Sequence, residues 1–378
     1  MRNYFGNDPE FHFQFPLDGD CLNCYDGQET PEGLLITVRV NGRAGSSVAV
    51  NEQPAEWNGT CYTCGILLRH YRTTLEAADL NSGEKTSIAV YKLHDPVGKY
   101  RLSSDDNILF LQDINDHKDT YQSIFDNPYL AVYKKAHDLY GACVHINIYY
   151  EYTEEEMKDF SAHKTYFNLS MMTDRFKPEW QQSADWLKLS FHARKNYPGK
   201  PYQNATIAQI SRDIELVHRE IIRFAGKEVL PPVTTLHFGA SNLAVTRVLR
   251  EYGYRGLTGY FEIDKHGEPL VAYHYPVDFT RHVGGRDFWK DNQEDIMYGR
   301  IDLVLNEKKE PDQLIQKLEE LKGDPHRAGF VSLLMHEEYF YEDYIGYREK
   351  FEQLILEPCR WCYEHGYRGA LMSETMFE

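Results

Sequence analysis

Residues 99–107 read Lys-Tyr-Arg-Leu-Ser-Ser-Asp-Asp-Asn, a short run with alternating apolar side chains that ends in two adjacent carboxylates. The run predicts a β-strand over residues 100–104, with Asp105 and Asp106 at its carboxyl end. Barrel enzymes collect their functional residues at the carboxyl ends of their strands. One carboxylate there can bind a metal ion while its neighbour acts as a general base. The run therefore predicts a barrel strand together with the position of a functional site.

Strand and helix patterns alternate after this run, which is typical of a βα barrel or a doubly wound sheet. Further strands are predicted over 143–150, 186–191, 234–237, 256–260, 297–305, 329–335 and 369–372. Helices are predicted over 127–140, 207–224, 242–252, 312–322 and 344–365. Seven or eight βα units fit a barrel domain of roughly 250 residues. The predicted fold class is therefore α/β, a (β/α)7-8 barrel.

The chain before residue 98 has a different sequence pattern. Short β-branched runs at 34–42, 47–51, 67–77 and 87–93 are separated by turn signals such as Asn41-Gly42. Such spacing predicts antiparallel strands joined by tight turns. We therefore predict two domains, an all-β module over residues 1–97 and the barrel over residues 98–378.

Composition limits the possible partners. The 378 residues include 41 basic and 58 acidic side chains, for a net charge of -17. That charge repels nucleic acid and anionic membrane surfaces, so we expect neither as a partner and expect a carbohydrate or other small-molecule substrate. No stretch approaches the roughly 20 apolar residues of a membrane span, and no signal sequence is recognisable. A cytoplasmic location is expected, and the oligomeric state stays open.

Six of the seven cysteines form three Cys-x-x-Cys pairs. The two N-terminal pairs could together form a four-cysteine structural zinc site. They are Cys21 with Cys24 and Cys61 with Cys64. The alternative is that these cysteines are reduced and fill core or surface positions, which the long separation between the pairs favours.

Polar side chains stand at the ends of several predicted strands besides the first. They are Asn147, Tyr149, His192, His237, His336, Glu337 and Glu374. A single histidine near a strand end is often only a hydrogen-bonded structural residue, and Asp105-Asp106-Asn107 could merely cap the next segment. Three histidines and two aspartates at separate strand ends instead favour one shared site at the barrel rim.

The order of these motifs resembles that of the polysaccharide deacetylases, carbohydrate esterase family four of the glycoside hydrolase/deacetylase barrel superfamily. Residues 103–107, Ser-Ser-Asp-Asp-Asn, are similar to the family's Thr-Phe-Asp-Asp-Gly motif, and a helix and the strand containing Asn147 follow. The resemblance implies that Asp105 is the general base and Asp106 a metal ligand. Leu334-Met335-His336 is similar to the family's late Leu-x-His motif, which implies that His336 is the general acid.

The middle motif departs from the family. Deacetylases bind their metal with two histidines in a His-Ser/Thr-x-x-His motif, whereas this chain has His192 followed by Asn196 at the second position. His237, on the next predicted strand, could complete the site. The implied cofactor is a divalent metal, zinc most plausibly, because one carboxylate and two imidazoles suit it. The implied reaction removes an acyl group from a carbohydrate or a related amide.

Two further functions stay open at this stage. Asp105 or Asp106 paired with Glu337 or Glu374 could act as the two carboxylates of a glycoside hydrolase. The barrel could also bind glycans without catalysis, since aromatic residues are frequent near its predicted rim. The residues expected to contact the substrate are Asn147, Tyr149, Asn196, Tyr202 and Glu374.

Overall fold

The computed structural model describes residues 10–162 and 165–377, which fall into two compact units. The first unit comprises Met1–Val97, Phe288–Tyr298 and Thr375–Glu378, and the second comprises Gly98–Asp287 and Gly299–Glu374. Segments 288–298 and 375–378, which the sequence analysis placed with the barrel, thus belong to the first unit. Among the described helices, none has both the length and the hydropathy that a bilayer-spanning segment needs.

The first unit is built from short, mainly antiparallel strands. Alternate residues of Gly33–Asn41 are buried, so the strand has one solvent-exposed face and one face packed on the core. The run predicted as one strand over 67–77 is two strands, because residues 69–71 leave the sheet. The strands are His12–Phe15, Cys21–Leu22, Gly27–Thr30, Gly33–Asn41, Val48–Val50, Gln53–Trp57, Tyr62–Leu68, Arg72–Asp79, Lys85–Lys92 and, from the later segment, Phe288–Asp291.

The second unit has Lys99–Asn107 at the centre of a parallel sheet. The hydrogen-bonded order is Leu187–Ala193, Val144–Tyr149, Lys99–Asn107, Phe330–His336 and Leu303–Val304, and Arg368–Gly369 also pairs with Lys99–Asn107. All these pairings are parallel, as the sequence predicts.

Two further strands continue the same order. Val233–Thr234 pairs in parallel with Gly256–Gly259, and the N–H of Ile301 donates to the carbonyl of Gly259 at 2.8 Å. Thr234 lies beside Leu187–Ala193, because its hydroxyl donates to the carbonyl of Phe191. The strands therefore curl in barrel order, and the predicted α/β class is confirmed. A closed barrel of seven or eight strands is not confirmed, since the main-chain ladders within residues 10–162 and 165–377 do not complete the circle.

The helices of the second unit begin where the chain supplies caps. Asn127 accepts from the N–H of Leu130 at 2.9 Å, and Pro128 follows at the first helical position. Leu109–Asp116 and Val277–Gly284 were not predicted, and the helix predicted over 344–365 begins only at Phe351. The α-helices are Leu109–Asp116, Pro128–Tyr140, Glu154–Met157, Lys177–Gln182, Ile207–Phe224, Leu243–Glu251, Val277–Gly284, Pro311–Lys322, Phe351–Glu364 and Ser373–Met376.

The helix Leu109–Asp116 begins after Ile108, whose side chain cannot accept a hydrogen bond. The fully buried Glu337 caps it instead. Its carboxylate accepts hydrogen bonds from the N–H groups of Ile108 at 2.5 Å, Leu109 at 3.0 Å and Phe110 at 2.5 Å. The hydroxyl of Tyr341 donates to the same carboxylate at 2.7 Å. A negative charge at a helix N-terminus is also favoured by the helix dipole.

Glu337→Ala is expected to lower the free energy of unfolding by about 3 to 5 kcal/mol, because it leaves three buried N–H groups and a hydroxyl without an acceptor. Urea denaturation followed by circular dichroism measures this. Glu342→Ala, an exposed glutamate nearby, is the matched control and should change stability by no more than about 0.5 kcal/mol. Equal effects of the two changes would contradict the capping role.

The stability should also depend on pH through Glu337. Burial raises the pKa of this carboxyl from 4.5 to about 7. Between these values the unfolded chain has released the proton while the folded chain keeps it, so raising the pH favours unfolding. We expect the stability of the wild type relative to Glu337→Gln to fall by up to about 3 kcal/mol from pH 4.5 to pH 7. A difference that stays constant with pH would show that Glu337 does not titrate there.

Candidate metal centre

Asp105 and Asp106 both reach the same cavity because the strand is irregular between them. Successive side chains of a regular strand point to opposite faces. Here the pairing with Val144–Tyr149 shifts register between Ser104 and Asn107, and Asp106 is left-handed at φ 64°. Such a bulge redirects a side chain. Both carboxylates consequently line one cavity.

The side chains of Asp106, His192 and His237 meet at this point. The Oδ1 of Asp106 lies 3.0 Å from the Nε2 of His192 and 3.1 Å from the Nδ1 of His237. The two imidazole nitrogens are 3.1 Å apart. Among the residues that the structure describes, this is the group of three or more His, Cys, Asp or Glu side chains whose ligand atoms come close enough to hold a metal ion. The predicted grouping of these three residues is therefore present.

Main-chain carbonyls fix the outer nitrogen of each imidazole. The Nδ1 of His192 lies 2.5 Å from the carbonyl oxygen of Thr235, and the Nε2 of His237 lies 3.0 Å from that of Asn196. A carbonyl only accepts, so each of these nitrogens carries the proton. The nitrogens that face Asp106 are left with lone pairs. Hydrogen bonds of this kind on the outer nitrogen orient metal-binding histidines in proteins.

These donors fit a divalent ion. One carboxylate oxygen and two neutral imidazoles match the N/O ligand sets of catalytic zinc sites, which keep open positions. Tetrahedral zinc places its ligand atoms roughly 3.3 Å apart, given bond lengths of about 2.0 to 2.1 Å, and the distances here approach that value.

Asp105 stands beside this group and is fixed by Asn147. It is 3% exposed, and the Nδ2 of Asn147 donates to its Oδ1 at 2.6 Å. The Oδ1 of Asn147 accepts in turn from Ser190 at 2.5 Å and Thr234 at 3.1 Å. Burial raises the pKa of Asp105, against the opposing effect of His192 and His336. Asn147, expected to contact the substrate, lies instead behind Asp105 and positions it.

His336 faces Asp105 from the neighbouring strand. The two residues are paired in register between Phe330–His336 and Lys99–Asn107. The Nδ1 of His336 lies 2.8 Å from the Oδ1 of Asn306, and the histidine lines the same cavity as the two aspartates. A side chain held in this way can transfer a proton at a fixed position. Asn306 was not predicted, because its own stretch carries no motif.

Tyr149 and Asn196 contact the metal group but do not line that cavity. The hydroxyl of Tyr149 donates to Asp106 and is 3.1 Å from the Nδ1 of His237. The Nδ2 of Asn196 donates to the Oε1 of Glu338 at 2.9 Å. Asn196 stands where the deacetylase motif has its second histidine. Its main-chain carbonyl accepts a hydrogen bond from His237, and its side chain is not one of the three candidate metal ligands. Glu338 was not predicted.

Three predicted site residues are placed elsewhere. Tyr202 is fully buried, and its hydroxyl donates to Asp213 at 3.2 Å. Glu337 caps a helix as described. Glu374 lies in the short helix Ser373–Met376 and is close enough to Cys143 and Lys188 to act on their charges. Both stand at the beginning of their strands, so Glu374 lies at the opposite end of the sheet from Asp105. The carboxylate pair of a glycoside hydrolase is therefore not assembled from Glu337 or Glu374.

The four N-terminal cysteines do not form the predicted zinc site. The Sγ of Cys21 lies 3.4 Å from the Sδ of Met297, and Cys61 accepts a hydrogen bond from Asn58. Cys64 faces the carbonyl of Gln53 at 4.0 Å. Burial raises the pKa of Cys64, which disfavours the thiolate that zinc binds. Among the described residues no group of cysteines comes close enough to hold a metal ion, so the prediction of a structural zinc ion here is wrong.

Comparisons with known proteins give distant likenesses. No family model matches the chain, and no curated protein matches it. A candidate polysaccharide deacetylase from Mycobacterium smegmatis superposes with a TM-score of 0.43 at 10% identity, over 73% of this chain and 88% of the other. A β-glucuronidase from Ruminococcus gnavus gives a TM-score of 0.30 at 12% identity, over 96% of this chain and 62% of the other. These overlaps assign no function, which depends on the geometry of the site itself.

Proposed function

We propose that this protein is a metal-dependent hydrolase that removes an acyl group from a carbohydrate or a related amide. The observation that carries the proposal is the set of three donor atoms within 3.0–3.1 Å of one another. Both imidazoles are oriented by main-chain carbonyls toward the point where the donors meet. The order of the Asp-Asp, His and Leu-x-His motifs, which resembles that of the deacetylases, supports the same reaction.

Asp106, His192 and His237 would hold the ion, which we propose is zinc. A divalent ion in such a site polarises a carbonyl group and makes water more acidic. Asp105, held by Asn147, is placed to accept the proton of the attacking water. His336, held by Asn306, is placed to donate a proton to the departing nitrogen or oxygen. These two residues pair across adjacent strands, so both side chains can reach the same scissile bond.

The proposal is tested by release of acetate from N-acetylglucosamine oligomers and from acetylated xylo-oligosaccharides. The protein is first treated with a chelator, dialysed and then reloaded with Zn²⁺. We expect acetate release from one of the two substrates to disappear on chelation and to return on reloading. Glycan binding by the zinc-loaded protein without acid release from either substrate, or from N-acyl glucosamine oligomers with longer acyl chains, would contradict the hydrolase and favour a binding protein. Turnover that survives complete metal removal would contradict it equally.

A further inference from the structure

The cavity beside the metal group is apolar over much of its surface. Its volume is about 260 Å³. Beyond the metal-binding and proton-transferring side chains, its wall includes Thr235, Gly239, Tyr260 and six apolar side chains. The apolar ones are Leu236, Phe238, Leu270, Val271, Ile301 and Leu334. Phe238 and Leu270 are 47% and 41% exposed. Large exposed apolar side chains grouped at the mouth of a cavity mark a place where an apolar partner binds.

Two residues of this apolar wall have a strained backbone. Phe238 and Val271 have φ of 59° and 47°, and the left-handed region is a marked outlier for a bulky or β-branched residue. Val271 packs against Gly239, where an added Cβ would lie 2.4 Å from its Cγ1. The N–H of Tyr273 donates to the carbonyl of Gly239 at 2.6 Å. Strained residues of this kind persist where the surrounding structure fixes them, and they cluster at ligand sites.

Polar groups stand close to the metal group outside this cavity. The Nδ2 of Asn196 donates to Glu338 at 2.9 Å, and the hydroxyl of the half-buried Tyr197 donates to Asp159 at 2.7 Å. Hydroxyl-rich groups need such donors and acceptors, whereas the apolar side chains of the cavity offer none. A substrate that extends beyond the cavity can therefore place its polar part near these groups and its apolar part inside.

We propose that the acyl group removed by this protein is a bulky apolar one, larger than acetyl, and that it occupies the cavity next to His237. This inference rests on the proposed function and specifies its substrate class. A cavity of about 150 Å³ already takes up benzene, so the cavity here accommodates an aromatic ring or a chain of several methylenes. The sugar or amine part of the substrate then lies outside the cavity, toward Asn196 and Glu338.

The first test measures binding alone. Straight-chain carboxylates from acetate to octanoate are titrated into the zinc-loaded protein by isothermal titration calorimetry. Each methylene that enters the cavity should tighten binding about fourfold, so that hexanoate binds on the order of 100-fold more tightly than acetate. Equal affinity of acetate and hexanoate would overturn the proposal, whether or not the protein has hydrolase activity.

The second test measures turnover with the leaving group held constant. We expect kcat/KM on N-acyl glucosamine oligomers to rise from acetyl through butyryl to hexanoyl, and the slope to be reduced several-fold in Leu270→Ser. Leu139→Ser, an exposed leucine on the helix Pro128–Tyr140, is the matched control and should keep the slope. A preference for acetyl, or a rate that depends on the leaving part only, would overturn the proposal.

The two tests separate the inference from the proposed function. A rising affinity along the carboxylate series together with no turnover on any acyl sugar would contradict the hydrolase and keep the apolar binding site. Zinc-dependent turnover with no preference for acyl length would keep the hydrolase and contradict the apolar site.

Discussion

His237→Ala is expected to weaken zinc binding by at least about 100-fold and to abolish zinc-dependent turnover. Disturbing only an outer hydrogen-bond partner of a metal ligand already costs about 10- to 100-fold in affinity, and this change removes one of three ligands. We choose His237 over Asp106 and His192 because the deacetylase pattern has no ligand at its position, so its role as a ligand is the most specific part of the proposal. Competition with a chromogenic zinc chelator measures the affinity.

His117→Ala is the matched control, because this imidazole is half exposed on another part of the second unit. It should bind zinc as the wild type does. Circular dichroism of both variants establishes that the fold is kept. Wild-type zinc affinity in folded His237→Ala would show that the chain completes its site with a different residue, and the assignment of His237 would be wrong.

Asp105→Asn is expected to lower kcat by about 10² to 10⁴ while zinc stays bound. A general base contributes an effect of this size, and the amide keeps the shape and the acceptor that Asn147 requires but cannot take up a proton. Zinc content is measured by inductively coupled plasma mass spectrometry alongside the rate. The pair of measurements distinguishes a base from a ligand.

Asp116→Asn, an exposed aspartate at the end of a nearby helix, serves as the control and should leave the rate unchanged. Loss of zinc in Asp105→Asn would make Asp105 a ligand, and an unchanged rate with zinc bound would remove it from the mechanism. A similar loss in Asn147→Ala, with zinc retained, is expected because Asn147 donates to Asp105 at 2.6 Å.

The sequence predicted the residues of the metal group because parallel strands end at one edge, so polar residues at those ends must meet there. His192 and Asp106 follow this rule directly. His237 lies in a short 3-10 turn, Leu236 having left the strand Val233–Thr234. His237 was predicted as a site residue because it follows a strand, and that prediction holds whether or not the residues after the strand form a helical turn.

Other placements could not be predicted from single positions. The left-handed Asp106 that turns two successive carboxylates toward one cavity depends on a register shift between two strands. Glu337 follows His336, the proposed general acid, in sequence, but it turns toward N–H groups of a helix more than two hundred residues earlier. Glu374 was placed at the rim because a strand was predicted over 369–372, whereas the strand ends at Gly369 and the chain turns into the helix Ser373–Met376.

The measurement that tests the metal centre most directly is anomalous scattering at the zinc absorption edge from crystals grown with Zn²⁺. The account predicts one strong peak within bonding distance of the Oδ1 of Asp106, the Nε2 of His192 and the Nδ1 of His237. The peak should be absent from crystals of His237→Ala grown in the same way. Crystals of the wild type without a peak at this place, or with zinc only at the cysteines of the first unit, would contradict it.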